Sequence, residues 1–184
     1  MNIAVFCSSS NRIAEHYRQT AFQLGEIIAL SKHTLIFGGA TGGLMDAVAE
    51  GAQLHNGEII GVIPQAIIRM KRQSLISTKV IEVESMNDRK ATMKALADAF
   101  VVLPGSYGTL DEMFDIVSSG IVGEHKKPLV LINHDGFYNQ LIRQIDHMRA
   151  ESFIPLEEVY IPLIVDDVKQ CMQALNLSTI ESQK

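Results

Sequence analysis

The sequence contains no tryptophan and only two cysteines, Cys7 and Cys171, among its 184 residues. No Cys-x-x-Cys pair or Cys/His cluster occurs, which excludes a disulfide framework and a cysteine-based zinc site. The formal net charge is −5 and no basic stripe is present, so binding to nucleic acid is not expected. No apolar run reaches the length of a membrane span and no signal-like leader is apparent, so we expect a cytoplasmic protein without membrane contact.

Short apolar runs alternate with segments of helical spacing along the chain. The pattern predicts strands at residues 2–6, 34–37, 59–63, 80–83, 99–103, 128–132 and 159–164. It predicts helices at 14–30, 44–54, 87–97, from about 108 to 121, 136–150 and 166–175, whereas 65–78 fits either a short helix or a loop. Strands that are apolar on both faces and separated by helices are typical of a buried parallel sheet. The prediction is therefore a Rossmann-like, doubly wound α/β fold with helices on both faces, as a single domain over 1–177 with a polar tail at 178–184.

Polar or glycine-rich segments follow three of the predicted strands, at residues 7–11, 38–43 and 104–109. In an open parallel sheet, ligands bind beyond the carboxyl ends of the strands, near the point where the strand order reverses. All three segments should therefore open on the same edge of the sheet. Their convergence predicts the position of the functional site.

Residues 104–109 read Pro-Gly-Ser-Tyr-Gly-Thr, and Glu112 follows three residues later. Glycines allow a sharp turn and a close approach to a ligand, and a helix that starts near Gly108 or Thr109 presents free N–H groups to a phosphate. The same residues also fit an ordinary strand–turn–helix connection, with Thr109 as the N-cap and Glu112 as its capping-box partner. Spacing alone leaves both interpretations open.

The other two motifs are weaker. Residues 38–43, Gly-Gly-Ala-Thr-Gly-Gly, do not form a Gly-x-Gly-x-x-Gly fingerprint, and no acidic residue is placed to bind a ribose, which disfavours an NAD-dependent oxidoreductase. Arg89 and Lys90 are adjacent on a predicted helix, so they should point in different directions, one toward the site and one toward solvent. Asn87 or Asp88 is a plausible N-cap for that helix. The Lys71-Arg72 pair is interpreted as solvated.

Taken together, these motifs resemble the LONELY GUY (LOG) family, once widely labelled "possible lysine decarboxylase". Its pattern is P-G-G-x-G-T-x-x-E, preceded by an R-K pair and, further upstream, by G-G-G-x-x-G-L-M. The matching residues are Pro104, Gly105, Gly108, Thr109 and Glu112, then Arg89 and Lys90, then Gly38, Gly39, Gly43, Leu44 and Met45. The resemblance extends from the first strand to about Ile154. It departs from the family at Ala40, Asp46 and Ser106, where glycines are usual, and at Ser119 and Ile121.

The resemblance implies hydrolysis of the N-glycosidic bond of AMP or a cytokinin riboside 5′-monophosphate, which releases the free base and ribose 5-phosphate. It implies that Arg89 and Glu112 are catalytic, and that no metal or organic cofactor takes part. Glu112 would stabilise the positive charge that develops on the sugar, and Arg89 would hold the phosphate or stabilise the departing base. It also implies a homodimer. The residues expected to bind the substrate are Ser9, Gly39, Thr41, Met86, Lys90, Gly105, Ser106, Tyr107, Gly108 and Thr109.

Two further considerations bear on this interpretation. A pyridoxal-phosphate decarboxylase would need a Schiff-base lysine in a recognisable setting, and no lysine stands out for that role. A serine at position 106 would strain the backbone if the loop requires a positive φ there. The altered glycines therefore keep a second hypothesis open, a non-catalytic nucleotide-binding protein on the same fold.

Overall fold

The structure, a computed structural model, describes residues 1–155, 157–158 and 160–181, with side chains described as far as residue 175. Seven strands form one parallel sheet in this part of the chain: β1 (Asn2–Phe6), β2 (Thr34–Phe37), β3 (Ile59–Pro64), β4 (Lys79–Val83), β5 (Ala99–Val102), β6 (Leu129–Ile132) and β7 (Leu163–Val165). The helices are α1 (Glu15–Leu30), α2 (Gly43–Leu54), α3 (Gln65–Arg69), α4 (Met86–Leu96), α5 (Tyr107–Ile121), α6 (Asn139–Ala150) and α7 (Val168–Glu181), with a 3-10 turn at His134–Gly136. The predicted α/β fold with a parallel sheet is confirmed.

The strand order is β4-β3-β2-β1-β5-β6-β7, so the direction of winding reverses between β1 and β5. These two strands are paired in parallel, with Val5 opposite Val101 and Phe6 opposite Val102. The segments that follow two such strands lead to opposite faces of the sheet and leave a crevice for a ligand between them. The topology therefore places the candidate site at the ends of β1, β2 and β5.

Alternate residues of each central strand face two separate cores. Ile3 and Val5 of β1 pack with α1, α2 and α7 on one side of the sheet, whereas Ala4 and Phe6 pack with α4 and α5 on the other. Helices α1 and α2 approach each other closely, because a Cβ at Gly25 would lie only 2.8 Å from the backbone nitrogen of Ala52. Both faces of the sheet are thus covered, as its continuous apolar strands predict.

Several predicted boundaries are corrected by the structure. β7 is Leu163–Val165 rather than 159–164, and residue 159 lies outside the described residues. α7 continues to Glu181, so the first four residues of the predicted tail are helical, while residues 182–184 lie outside the described part. Residues 65–69 form a short helix. None of the described helices combines the length and apolar character that crossing a membrane requires.

The predicted N-cap of α4 is also wrong. Ser85, and neither Asn87 nor Asp88, caps this helix. The Oγ of Ser85 accepts a hydrogen bond from the backbone N–H of Asp88 at 3.1 Å, and the Asp88 carboxylate accepts one from the backbone N–H of Ser85 at 3.1 Å. This reciprocal capping box fixes the start of α4, and hence the position of Arg89 one turn later.

Candidate active site

A cavity of about 410 Å³ opens at the reversal of the strand order. The segments that follow β1, β2 and β5 all contribute to its lining, which confirms their predicted convergence. Its described lining residues are Cys7, Ser8, Ser9, Ser10, Gly38, Ala40, Met45, Ile67, Arg72, Met86, Arg89, Ser106, Gly108, Thr109 and Glu112. None of these described lining residues is a lysine.

An ion pair between Arg89 and Glu112 forms the floor of the cavity. Their side chains are only 6% and 5% exposed, although they come from different helices, α4 and α5. The Nη1 of Arg89 donates to Oε1 of Glu112, and its Nε donates to the carbonyl oxygen of Val62 at 3.2 Å. Loss of either side chain would leave the charge of the other buried and uncompensated. The two side chains therefore stay paired in one orientation.

The structure excludes the capping interpretation of Glu112. Helix α5 begins at Tyr107 with Ser106 as its N-cap, so Glu112 lies beyond the first turn and cannot complete a capping box. Burial raises the pKa of Glu112, and the neighbouring Arg89 opposes that shift. The carboxylate is therefore placed in the cavity as a chemical group rather than as a helix cap.

Gly38 makes room for Arg89 at the end of β2. A Cβ at Gly38 would overlap Nη2 of Arg89 and lie 2.9 Å from its Cζ. The guanidinium therefore lies directly against the backbone. Beside it, burial raises the pKa of the Cys7 thiol, so this cysteine stays protonated and is no nucleophile.

The start of α5 has free hydrogen-bond donors. Ser106 gives no side-chain cap, and the first backbone N–H bond there, from Leu110 to the carbonyl of Ser106, spans 3.0 Å. The N–H groups of Tyr107, Gly108 and Thr109 consequently have no acceptor within the helix. Together with the helix dipole, they form a site suited to a phosphate.

The start of α2, by contrast, is already satisfied. The backbone N–H of Gly43 donates to Oδ1 of Asn11 at 2.8 Å, and that of Leu44 donates to the carbonyl of Ser8 at 2.9 Å. Asp46 accepts from the N–H of Gly42 at 2.7 Å and stabilises the turn before this helix. Of the two glycine-rich segments, the one that begins α5 is therefore the better phosphate site.

The anticipated strain at Ser106 is absent. Its φ is −108°, an extended conformation that serine adopts readily, so this departure from the family pattern has no conformational penalty. Gly105 is needed for a different reason, because a Cβ there would lie 2.7 Å from Cγ2 of Thr109. The glycine thus allows Thr109 to fold back over the loop.

Hydrogen bonds from the segment after β6 hold the end of β5 in place, where the 104–106 turn begins. Tyr138, 3% exposed, donates its hydroxyl proton to the carbonyl of Leu103 at 2.8 Å. Asn133 in turn accepts a hydrogen bond from the backbone N–H of Tyr138 at 2.7 Å. This buried chain of hydrogen bonds fixes the height of the 104–106 turn relative to the sheet.

Arg72 is a cavity residue that the sequence analysis missed. Its Nη2 donates to Oγ of Ser9 at 3.1 Å and to the carbonyl of Thr41 at 3.3 Å. The segment around it is held by backbone bonds to the glycine-rich turn, including Thr41 N–H to the Arg72 carbonyl at 2.7 Å. In the sequence, only the position of Arg72 after the third strand indicates that it could reach the cavity, because its neighbouring charged residues are typical of a solvated loop.

Half of the predicted substrate-binding residues are among the lining residues of the cavity. Ser9, Met86, Ser106, Gly108 and Thr109 line the cavity together with Arg89 and Glu112, whereas the other five do not. These five are Gly39, Thr41, Lys90, Gly105 and Tyr107.

The side chains of three of these five residues are either bonded to other residues or exposed to solvent. Lys90 donates to Asp111 of α5 at 3.0 Å, and its side chain is only 16% exposed, so it does not point toward solvent as the sequence predicts for the neighbour of Arg89. The hydroxyl of Thr41 donates to Asp46 at 3.0 Å, and Tyr107 is 92% exposed. Neither Ser119 nor Ile121, the two departures on α5, contributes to the cavity.

Comparison with known proteins shows similarity over most of the chain. A family model described as possible lysine decarboxylase matches residues 45–175, a range that includes Arg89 and Glu112. The chain is 40% identical over 153 residues to the probable cytokinin riboside 5′-monophosphate phosphoribohydrolase LOGL9 of Oryza sativa subsp. japonica, covering 83% of this chain and 67% of that protein. It is 37% identical over 154 residues to the cytokinin riboside 5′-monophosphate phosphoribohydrolase of Rhodococcoides fascians, covering 83% and 78%.

A solved structure with the same fold is the molybdenum cofactor binding protein from Rippkaea orientalis. The TM-score is 0.74 over 97% of this chain and 96% of that one, at 21% sequence identity. An identity this low shows a common fold and says nothing about a common ligand.

Proposed function

This chain belongs to the LOG family, and we propose that it hydrolyses the N-glycosidic bond of a nucleoside 5′-monophosphate to give the free base and ribose 5-phosphate. AMP and cytokinin riboside 5′-monophosphates are the proposed substrates. The observation that carries this proposal is the buried Arg89–Glu112 pair beneath the free N-terminus of α5. A carboxylate and a phosphate site within one cavity are what cleavage of a phosphorylated ribose requires.

The phosphate is bound at the start of α5 in this proposal. The free N–H groups of Gly108 and Thr109 donate to it, and the hydroxyl groups of Ser9 and Ser106 lie on the same cavity wall. Arg72, already bonded to Ser9, adds a positive charge. Binding energy gained at the phosphate holds the ribose in place and supports the chemistry at the distant glycosidic bond.

Glu112 acts on the sugar. As the glycosidic bond breaks, positive charge develops on the ribose, and a carboxylate in a water-poor cavity stabilises that charge strongly. The same carboxylate orients the attacking water and accepts its proton. Arg89 opposes the rise in the pKa of Glu112 and holds its carboxylate in position, and the remaining N–H groups of Arg89 are available to the phosphate or to the departing base.

The base lies against the apolar part of the lining. Ala40, Met45, Ile67 and Met86 form this wall. Methionine side chains adapt to rings of different shape, so the wall is suited to adenine and to an N6-substituted adenine alike.

The experiment is to incubate the pure protein with AMP, with a cytokinin riboside 5′-monophosphate and with adenosine, and to measure the released base by chromatography. Both monophosphates should release base, and adenosine should not, because it lacks the phosphate that α5 binds. Equal turnover of adenosine and AMP would contradict the phosphate site. Binding of AMP without any base release would instead favour a non-catalytic nucleotide-binding protein.

A variant pair tests the role of Glu112. Glu112→Gln keeps the shape of the side chain and removes its charge, so base release should fall by orders of magnitude while the protein remains folded. Asp111→Asn is the matched control, because it removes a charge from the adjacent, exposed residue, whose side chain is paired with Lys90. If Glu112→Gln turned over AMP as fast as the unaltered protein, the proposed chemistry would be wrong.

We also propose that the protein forms a homodimer through an apolar face beside α5. The face surrounds a cavity of about 340 Å³, and the exposed apolar side chains that line it are Phe114, Ile121, Phe153, Ile161 and Ile164. A contiguous exposed apolar surface of this kind favours association. Light scattering at micromolar concentration should give the mass of a dimer, and Phe153→Glu should shift it toward a monomer. Location in the cytoplasm stays a prediction from the sequence, to be checked by cell fractionation.

A further inference from the structure

Two imidazoles and a carboxylate meet outside the cavity, where α1 begins. His16 lies in the first turn of α1, and His134 and Asp135 belong to the 3-10 turn after β6. The Nε2 of His16 is 3.5 Å from Oδ2 of Asp135, and the Nε2 of His134 is 3.6 Å from the same oxygen. One donor atom from each of the three residues lies within 4.8 Å of the other two.

These distances suit a tetrahedral metal ion. With metal–ligand bonds of about 2.0–2.1 Å, neighbouring ligand atoms of a tetrahedron lie about 3.3–3.4 Å apart. Both nitrogen–oxygen distances fall close to that edge length, and the ligand atoms of the two imidazoles lie within 4.8 Å of each other. The side chains of His16, His134 and Asp135 are 47%, 25% and 62% exposed, so an ion and its water ligands can reach them.

The backbone holds the carboxylate in its place between the imidazoles. Asp135 has φ 51° and ψ 27°, a left-handed conformation that aspartate adopts more readily than most other residues. The turn therefore presents the two consecutive side chains, His134 and Asp135, to His16 on the neighbouring helix.

We propose that His16, His134 and Asp135 bind one divalent transition-metal ion of the zinc class, with water completing its coordination. Neutral imidazoles and a carboxylate are ligands that such ions prefer over magnesium or calcium. The ion joins the start of α1 to the turn between β6 and α6. Phe137, two residues after Asp135, already packs on Tyr17 of α1 with ring centroids 5.6 Å apart. The ion therefore reinforces an existing contact.

The test is a calorimetric titration of the metal-free full-length protein with zinc, without any nucleotide, followed by thermal unfolding. The unaltered protein should bind one ion, and zinc at about 100 times its dissociation constant should raise Tm by roughly 5 °C or more. His16→Gln and Asp135→Asn should each weaken zinc binding at least tenfold, since even an outer partner of a ligand contributes about that much. Asparagine also tolerates the left-handed conformation, so Asp135→Asn removes the charge and keeps the turn.

His55→Gln is the matched control. The Nε2 of His55 lies 3.1 Å from a carboxylate oxygen of Glu26, but this exposed pair belongs to no three-residue group among the described side chains. Its loss should leave zinc binding unchanged. If His16→Gln and Asp135→Asn bound zinc as tightly as the unaltered protein, the three residues would be an ordinary imidazole–carboxylate cluster and the proposal would be wrong. Because no substrate is used, this outcome is independent of the base-release assay.

Discussion

Replacing Gly38 by alanine should disable the site without unfolding the protein. The added Cβ would lie 2.9 Å from Cζ of Arg89 and would overlap its Nη2, so the guanidinium has to move. The Arg89 side chain is buried and is bonded to both Val62 and Glu112, so moving the guanidinium away from residue 38 should lengthen or break at least one of these two hydrogen bonds. Losing one hydrogen bond to a charged group costs about 1.5–3 kcal/mol of stability. A displacement of about 1 Å in a catalytic group lowers the rate roughly 100-fold.

Two assays follow these two effects separately. Release of adenine from AMP should fall roughly 100-fold or more in Gly38→Ala. Urea unfolding should show a loss of about 1.5–3 kcal/mol with an unchanged m value. Gly108→Ala is the control for stability, because a Cβ at Gly108 meets no atom within 4 Å and alanine favours a helix.

A double-mutant cycle identifies Arg89 as the cause. In an Arg89→Ala background the obstructing side chain is gone, so the further change Gly38→Ala should cost less than about 0.5 kcal/mol. Fully additive losses of stability would mean that Gly38→Ala acts on something other than Arg89. Turnover of AMP at the unaltered rate in Gly38→Ala would refute the reasoning that the orientation of Arg89 matters.

Three further predictions concern single groups. Tyr138→Phe removes the donor to the buried carbonyl of Leu103 and should lower the free energy of unfolding by about 1–3 kcal/mol in a urea titration. Burial raises the pKa of Glu112 above its ordinary value of 4.5, so kcat/KM should fall as the pH drops through a value above 4.5 and the carboxylate takes up a proton; an acid limb at or below 4.5 would argue against that role. Ser106 has no strain to relieve, so Ser106→Gly should change KM for AMP by less than about tenfold, or about 1.4 kcal/mol; a much larger gain in rate would show that the serine blocks the site.

The fold and the floor of the site could be predicted because they depend on regular features of the sequence. Apolar runs at regular intervals predict the strands, and parallel strands bring the segments that follow them to one edge. Arg89 and Glu112 are identified by the resemblance to the LOG family pattern, because spacing alone leaves both interpretations of Glu112 open. The capping box of α4 is also visible in the sequence, because Ser85 is followed three residues later by Asp88.

The remaining features depend on contacts that no local pattern encodes. Arg72 binds Ser9 across 63 positions of the chain, and a charged residue in an irregular loop gives no indication of such a partner. Asp46 stands where the family pattern usually has a glycine. Its carboxylate stabilises the turn before α2 by accepting a hydrogen bond from the backbone N–H of Gly42. The conformation of Ser106 depends on how β5 meets α5, so family resemblance alone could not give its φ.

The central position of β1 has a consequence for the order in which the molecule assembles during synthesis. Its two neighbours are β2, with Ala4 opposite Ile36, and β5, with Ala4 opposite Phe100. A nascent chain that has emerged only as far as α4 can pair one side of β1 and leaves the other side open. Arg89 is then already present, but its carboxylate partner follows β5 and has not yet been made. The Arg89–Glu112 pair can therefore form only after the strand that closes the middle of the sheet has been made.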